Sequence, residues 1–120
     1  MDRRTYSKTL ETPSGEGEIR QAGKHLAGVS YWLQKKQELF VSESESGRRE
    51  TLGELKISGE VTLDLNDRFK PEVLQAMNSD QVLTLYLSDG RQVDVFSSRG
   101  DPFSGTFRVN SAGGSDFVGG

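Results

Sequence analysis

Residues 54–65 read ELKISGEVTLDL, and apolar and polar side chains alternate along this stretch. The odd positions carry Leu55, Ile57, Val61, Leu63 and Leu65. Since successive side chains of a strand point to opposite faces, the alternation predicts a strand with one buried and one solvated face. Burial on one face is typical of antiparallel sheets. We expect all five apolar side chains to lie in the core.

The same stretch is too long to run straight through a small domain. At about 3.3 Å per residue it would extend roughly 40 Å. Gly59 stands where one odd apolar residue is missing, which predicts a bend or a bulge at that point. Long strands that bend at glycine are typical of small barrels, and this favours a barrel over a flat sheet.

A hairpin is predicted over residues 82–96. A two-residue loop at Asp89-Gly90 would mix apolar and polar side chains on each face, because a slip of one residue turns every side chain over. A three-residue loop, Ser88-Asp89-Gly90, instead pairs Leu85 with Val93 and Leu83 with Val95. We therefore expect a type I turn followed by a left-handed Gly90 in a G1 bulge.

The remaining elements are shorter or less regular. Pro71 and the apolar stripe behind it predict a two-turn helix over 71–77, capped by Asn66 or Asp67. We expect the other strands at 17–22, 26–34, 38–41 and 106–110. Charged or small residues at 42–50 and 97–104 predict exposed loops.

Together these elements predict a mainly β fold. We expect a small antiparallel β-barrel of about six strands with one short helix, OB-like or SH3-like, and a β-sandwich is the alternative. A helix between the third and fourth strands is also the order of the OB-fold, a likeness of element order alone. We expect a disordered tail at 1–14, a single β-barrel domain at 15–111 and a disordered Gly/Ser-rich tail at 112–120.

The charge balance narrows the possible functions. Fifteen basic and eighteen acidic residues give a net charge of −3, which disfavours a general polyanion binder. The chain has no cysteine and no long apolar run, so we expect neither disulfides nor a transmembrane helix. The first residues lack the apolar stretch of a secretory signal, and the default expectation is a cytoplasmic protein with no membrane partner.

No constellation of residues predicts chemistry. His25 is the single histidine, so a multi-histidine metal site cannot form within the chain, and no nucleophile–base pair is apparent in the sequence. Glycine-rich phosphate loops are absent from any strand-to-helix context. We expect no catalytic residues, no cofactor and no bound metal, and a protein that is not an enzyme.

One candidate binding surface is predicted around Trp32. Val29, Tyr31 and Leu33 share the core face of a strand, which puts Trp32 on the opposite face. An exposed tryptophan can anchor a partner protein or stack on a base, although a tail could equally cover it. The candidate binding residues are Trp32, Gln34, Lys35, Lys36 and Phe96.

The sequence therefore favours a non-catalytic protein-interaction or assembly module. Its partner is expected to be another protein of unknown identity, and the oligomeric state is open. The alternative is a single-stranded nucleic-acid-binding OB-like domain that uses Trp32, Lys35 and Lys36 on one sheet face, with Arg20 or Arg91 in support. Net acidity makes nucleic acid the less favoured partner.

Overall fold

A computed structural model describes residues 2–101 and 103–120, and the side chains of all of these except 2, 3 and 99. The expected tail at 1–14 and loop at 97–104 include Met1 and Pro102, which lie outside the described residues. The strands are β1 (Asp2–Glu11), β2 (Ser14–Gln21), β3 (Lys24–Ser44), β4 (Gly47–Leu63), β5 (Leu83–Tyr86), β6 (Arg91–Asp101), β7 (Thr106–Ser111) and β8 (Val118–Gly119). The helix α1 (Pro71–Met77) lies between β4 and β5. The protein is thus mainly β with one short helix, as predicted.

Six of the strands pair in a closed ring. Each pairing is antiparallel, and the order around the ring is β2, β3, β4, β7, β6, β5 and back to β2. Apolar side chains of these strands point inward and form one buried cluster, to which α1 adds Val73, Ala76 and Met77. This cluster is the core of the protein.

Two strands continue well beyond the ring. Residues 36–44 of β3 pair with residues 47–56 of β4 on one side and with β1 on the other. We call these three segments the arm. Because the arm extends the sheet past the ring, the molecule is elongated, with dimensions of 60 × 28 × 22 Å.

The predicted hairpin and helix are confirmed. Leu85 pairs with Val93 and Leu83 with Val95, in the register of the three-residue loop. Gly90 has a φ of +90°, and its N–H donates to the Leu87 carbonyl over 3.1 Å. The alternation in β4 also holds for Ile57, Val61 and Leu63, which are buried.

Three details of that region differ from the prediction, and the first is that Leu55 is only partly buried and lies outside the core cluster. Leu65 is 69% exposed, because β4 ends at Leu63 and the chain turns away from the core there. The described pairings of Gly59 with β3 and β7 continue without a register shift, and the bulge lies instead between Gln37 and Leu39. A Cβ at Gly59 would lie 2.0 Å from the Trp32 carbonyl oxygen, so this glycine allows two strand backbones to approach closely.

The predicted helix cap is also wrong. The N-cap residue of α1 is Lys70. Asp67 accepts hydrogen bonds from the backbone N–H of Gly28 over 3.1 Å and from Lys70 Nζ over 2.9 Å. Its carboxylate therefore ties the segment before α1 to β3.

Several segments that the sequence analysis assigns to tails or loops form paired strands in the structure. Residues 2–11 form β1, residues 42–44 and 47–50 are the paired ends of β3 and β4, and β6 continues to Asp101. Val118 and Gly119 pair with β6. These segments are polar, and backbone hydrogen bonds hold them in the sheet. Because such bonds do not require a buried face, the sequences of these segments show no apolar alternation from which a strand could be predicted.

Candidate functional site

Trp32 lies on the outer face of the ring, as predicted. It pairs with Ser14 of β2 and Glu60 of β4, and it is 49% exposed. Its indole borders a shallow groove whose other walls include Gln34, Glu60 and Arg108. Trp32 and Gln34 of the candidate set therefore lie together.

Lys35 does not belong to that surface. It points to the opposite face of β3, where its Nζ forms an ion pair with Asp116 Oδ1 over 2.8 Å and only 19% of its side chain is exposed. Lys36 lies on the same face as Trp32, at the base of the arm, and lines a separate groove with Ser7 and Lys56. Because side chains alternate along β3, the two lysines point to opposite faces of the sheet although they are neighbours in the sequence.

Phe96 is on the outer face but at a distance from Trp32. It is 38% exposed and pairs with Asn110 of β7. Both β7 and β4 lie between Phe96 and Trp32, and their outward side chains are polar or charged, among them Arg108 and Glu60. Since neighbouring strands are about 4.8 Å apart, the two aromatic rings do not form one apolar patch.

The two arginines of the nucleic-acid alternative are engaged elsewhere. Arg20 donates to Glu18 Oε1 over 2.7 Å and lies over the Tyr86 ring, with 4.7 Å between the guanidinium carbon and the ring centroid. Arg91 is bound by acidic residues at another place in the sheet, described below. Neither arginine is available to extend the Trp32 surface without first giving up these contacts.

The arm carries an apolar row that the sequence analysis does not identify. Tyr6 pairs with Leu39, and Leu39 pairs with Leu52, so the three side chains cross the arm on one face. Tyr6 is 44% and Leu52 71% exposed. The next row on this face holds Val41, the one buried side chain among the described residues of the arm.

Charged residues of opposite sign flank that second row. Arg4 of β1 and Glu50 of β4 pair with Val41 from its two sides. Both side chains are exposed, and Arg4 donates a long hydrogen bond to the Tyr6 hydroxyl, 3.5 Å between the heavy atoms. The second row thus consists of Arg4, Val41 and Glu50, and we call the two rows together the arm face.

The C-terminal segment forms a third arrangement of side chains. The guanidinium of Arg91 binds both oxygens of the Glu11 carboxylate, over 2.6 and 3.0 Å. Hydrogen bonding from Arg91 lowers the pKa of Glu11 below its usual value. The same guanidinium stacks on Phe117, with 4.7 Å from its central carbon to the ring centroid.

No cluster of three potential metal ligands occurs in the part of the chain that the structure describes. Over the same residues, no helix has the length and apolar character needed to cross a bilayer. The arrangement offers flat apolar area, paired charges and strand edges, which are features of binding surfaces.

Comparison with known proteins adds no relative: no family model matches the chain, and no curated protein or solved structure is significantly similar to it.

Proposed function

We propose that this chain is a non-catalytic assembly module that associates with a second copy of itself through the arm face. The observation that carries the proposal is the apolar row of Tyr6, Leu39 and Leu52, in which Tyr6 and Leu52 are exposed and Leu39 is partly buried. This row lies on a projection with almost no core of its own.

The arm gains little free energy from its own packing. A three-stranded sheet needs a buried hydrophobic face for independent stability. Here both faces meet solvent, and side chains 43–52 are all exposed. A partner that covers the arm face would bury Tyr6 and Leu52, and the burial of each large apolar side chain contributes about 1.5–3 kcal/mol.

The charge pattern of the arm face fits a second copy. Arg4 and Glu50 stand on opposite sides of Val41. A two-fold axis along the strands, between two facing arms, brings Arg4 of each copy opposite Glu50 of the other. The same rotation brings Tyr6 opposite Leu52. Such self-complementarity is the requirement for a two-fold interface.

Sedimentation velocity of the full chain, from low micromolar to millimolar concentration, tests the proposal. We expect a monomer–dimer equilibrium that Leu52→Glu weakens strongly, because it buries a charge in the interface. Leu65→Glu is the matched control: Leu65 is 69% exposed but lies in a turn of the ring. It should dimerise like the wild type. A wild-type chain that stays monomeric throughout contradicts the proposal.

Charge exchange tests the orientation of the two copies. Arg4→Glu alone and Glu50→Arg alone each place like charges across the proposed interface and should weaken dimerisation. The double variant restores opposite charges and should recover it. If the double variant dimerises no better than either single variant, the proposed two-fold axis is wrong.

A second candidate function is the binding of single-stranded nucleic acid on the outer face of the ring. The observation in its favour is the half-exposed Trp32 beside Arg108. Since Trp32 is the single tryptophan, its fluorescence reports base stacking directly. Salt-sensitive quenching by mixed-sequence single-stranded DNA, reduced by Arg108→Gln, would support this function. Unchanged fluorescence at low salt would eliminate it.

The proposal also covers the fold type of the ring and the cellular location of the protein. We infer that the ring of six strands is a small barrel with the element order of an OB-fold, supported by its closure through β2 and β5 and by a helix after its third strand. We also infer a cytoplasmic location, supported by the absence of cysteine. An experimental structure and cell fractionation are the respective tests.

A further inference from the structure

The last residues of the chain lie against the sheet as a short ligand would. Residues 115–120 follow β7 and pack on β3 and β6. Val118 and Gly119 add two residues to the edge of β6, opposite Gln92 and Arg91. Phe117 is partly buried against the core cluster. The segment therefore has both backbone pairing and an aromatic anchor.

Two cations surround that anchor. Arg91 lies over the Phe117 ring at 4.7 Å, and Lys35 Nζ lies 5.8 Å from its centroid. Lys35 also binds the neighbouring carboxylate of Asp116 over 2.8 Å. Both cations are mostly covered, with 24% and 19% of their side chains exposed, and such desolvation strengthens cation–π contacts.

Acidic residues of the sheet hold one of these cations in position. Glu11 of β1 binds Arg91 through two hydrogen bonds, and Asp89 binds its Nε over 2.8 Å. The receptor for Asp116 and Phe117 is thus built from β1, β3 and the start of β6. It contains no residue of the segment that occupies it.

The covalent link between the segment and the sheet is a short turn, in which the N–H of Ser115 donates to the Ala112 carbonyl over 2.9 Å and the Ser115 hydroxyl donates to the same oxygen. Gly113 and Gly114 have φ values of +54° and +79°. A Cβ at either position would meet no described atom within 4 Å. Because glycine readily adopts other backbone conformations, the segment can leave the sheet once the hydrogen bonds from Ser115 to Ala112 are broken.

We propose that β1, β3 and β6 form a binding site for a short peptide with adjacent acidic and aromatic side chains. The chain's own residues 115–120 fill it in this structure, and the same residues of a second copy are the partner that it takes in exchange. The site lies apart from the arm face, so this inference does not depend on dimerisation through the arm.

The experiment uses the full chain with Asp116→Lys, which weakens its own segment by placing a cation against Lys35. Asp116 is exposed, so the fold should be retained. A peptide with the sequence of residues 112–120 is added, and amide NMR shifts are followed at Lys35 and Gln92. We expect saturable shifts at both positions. A control peptide with alanine in place of Phe117 should bind at least about tenfold more weakly.

The wild-type chain shows how much peptide is needed when the chain's own segment competes for the site. A tethered segment competes at an effective concentration of the order of millimolar, so the wild-type chain should need far more peptide than the variant. For the same reason, a segment that docks in its own chain must bind with a Kd below that concentration. Absence of shifts at about 10 mM peptide therefore contradicts the proposal.

Exchanging the charges of Lys35 and Asp116 tests whether the peptide is recognised by its charge, and separates this from non-specific binding to a misfolded variant. Lys35→Glu in the full chain should lose affinity for the natural peptide and gain affinity for one with Asp116→Lys. Equal binding of both peptides by both chains would mean that the contact is not specific, and would overturn the proposal. Leu52→Glu should leave every one of these shifts unchanged, which separates this site from the arm face.

Discussion

The ring and the arm are made from the same two long strands but are stabilised in different ways. Within the ring, β3 places Ala27, Val29 and Leu33 in a core from which solvent is almost excluded. Within the arm, the same strand places its side chains between two short polar partners, and only Val41 is buried. A continuous backbone ladder can therefore carry one region that is stabilised by burial and another whose side chains stay largely in contact with solvent.

The largest difference should appear when a leucine is truncated in each region. Leu85 of the ring is fully buried, so Leu85→Ala should lower the free energy of unfolding by about 2–5 kcal/mol. Leu52 of the arm is 71% exposed, and Leu52→Ala should cost less than about 0.5 kcal/mol. Urea denaturation measures both. Equal losses would mean that the arm belongs to the folding core.

Glycines in the two regions provide a second comparison. Gly59→Ala would place a methyl group 2.0 Å from the backbone oxygen of Trp32, and we expect a loss of about 1–3 kcal/mol or more. Gly53→Ala in the arm would meet the Phe40 ring at 2.5 Å, a contact with a side chain and not with a backbone. Thermal unfolding should therefore show a much larger drop in Tm for Gly59→Ala. A comparable drop for Gly53→Ala would indicate that Phe40 is held rigidly.

Acid should loosen the point at which β1 joins the ring. The pKa of Glu11 is lowered in the folded state by its hydrogen bonds from Arg91, so its contribution to stability is complete above about pH 4.5. The contribution is lost as the pH falls through the lowered pKa. Since Glu11 is partly exposed, we expect less than about 1 kcal/mol. Glu11→Gln should flatten the dependence of Tm on pH between 5 and 3, and an unchanged dependence would contradict the assignment.

The smallest effect is expected at a turn of the ring. Ala22, between β2 and β3, has a φ of +49°, a conformation that costs L-residues other than asparagine and glycine about 1 kcal/mol. Ala22→Asn should raise the free energy of unfolding by a few tenths of a kcal/mol to about 1 kcal/mol. Dimerisation through the arm should not change. A loss of stability would show that the backbone there is not left-handed in solution.

The ring is the part of the fold that the sequence predicts well. In the hairpin, a single register keeps Leu83, Leu85 and their partners on one face, and β5 and β6 adopt that register. The helix follows from Pro71 and its apolar stripe for the same reason, since burial leaves a period in the sequence. The closure of β2 on β5 is a long-range pairing that no local pattern contains.

The arm and the site are less predictable because they lack that period. Residues 2–11 have few apolar side chains, and β1 is recognisable only from its pairing with β3. Trp32 is predicted correctly as an outer residue by alternation. Lys35 is its close neighbour in the sequence, yet it points to the other face and binds Asp116, a contact across more than 80 residues that sequence spacing does not reveal.

The length of β3 has a mechanical consequence. Its 21 residues run without a break in the chain from the turn beside Ala22 to the tip of the arm, held by β2 and β4 in the ring. A load applied at the tip, along the strand, would be transmitted directly to those ring pairings and would stress their hydrogen bonds all together in shear. A pull on the arm would thus be resisted by the part of the protein that contains the buried core.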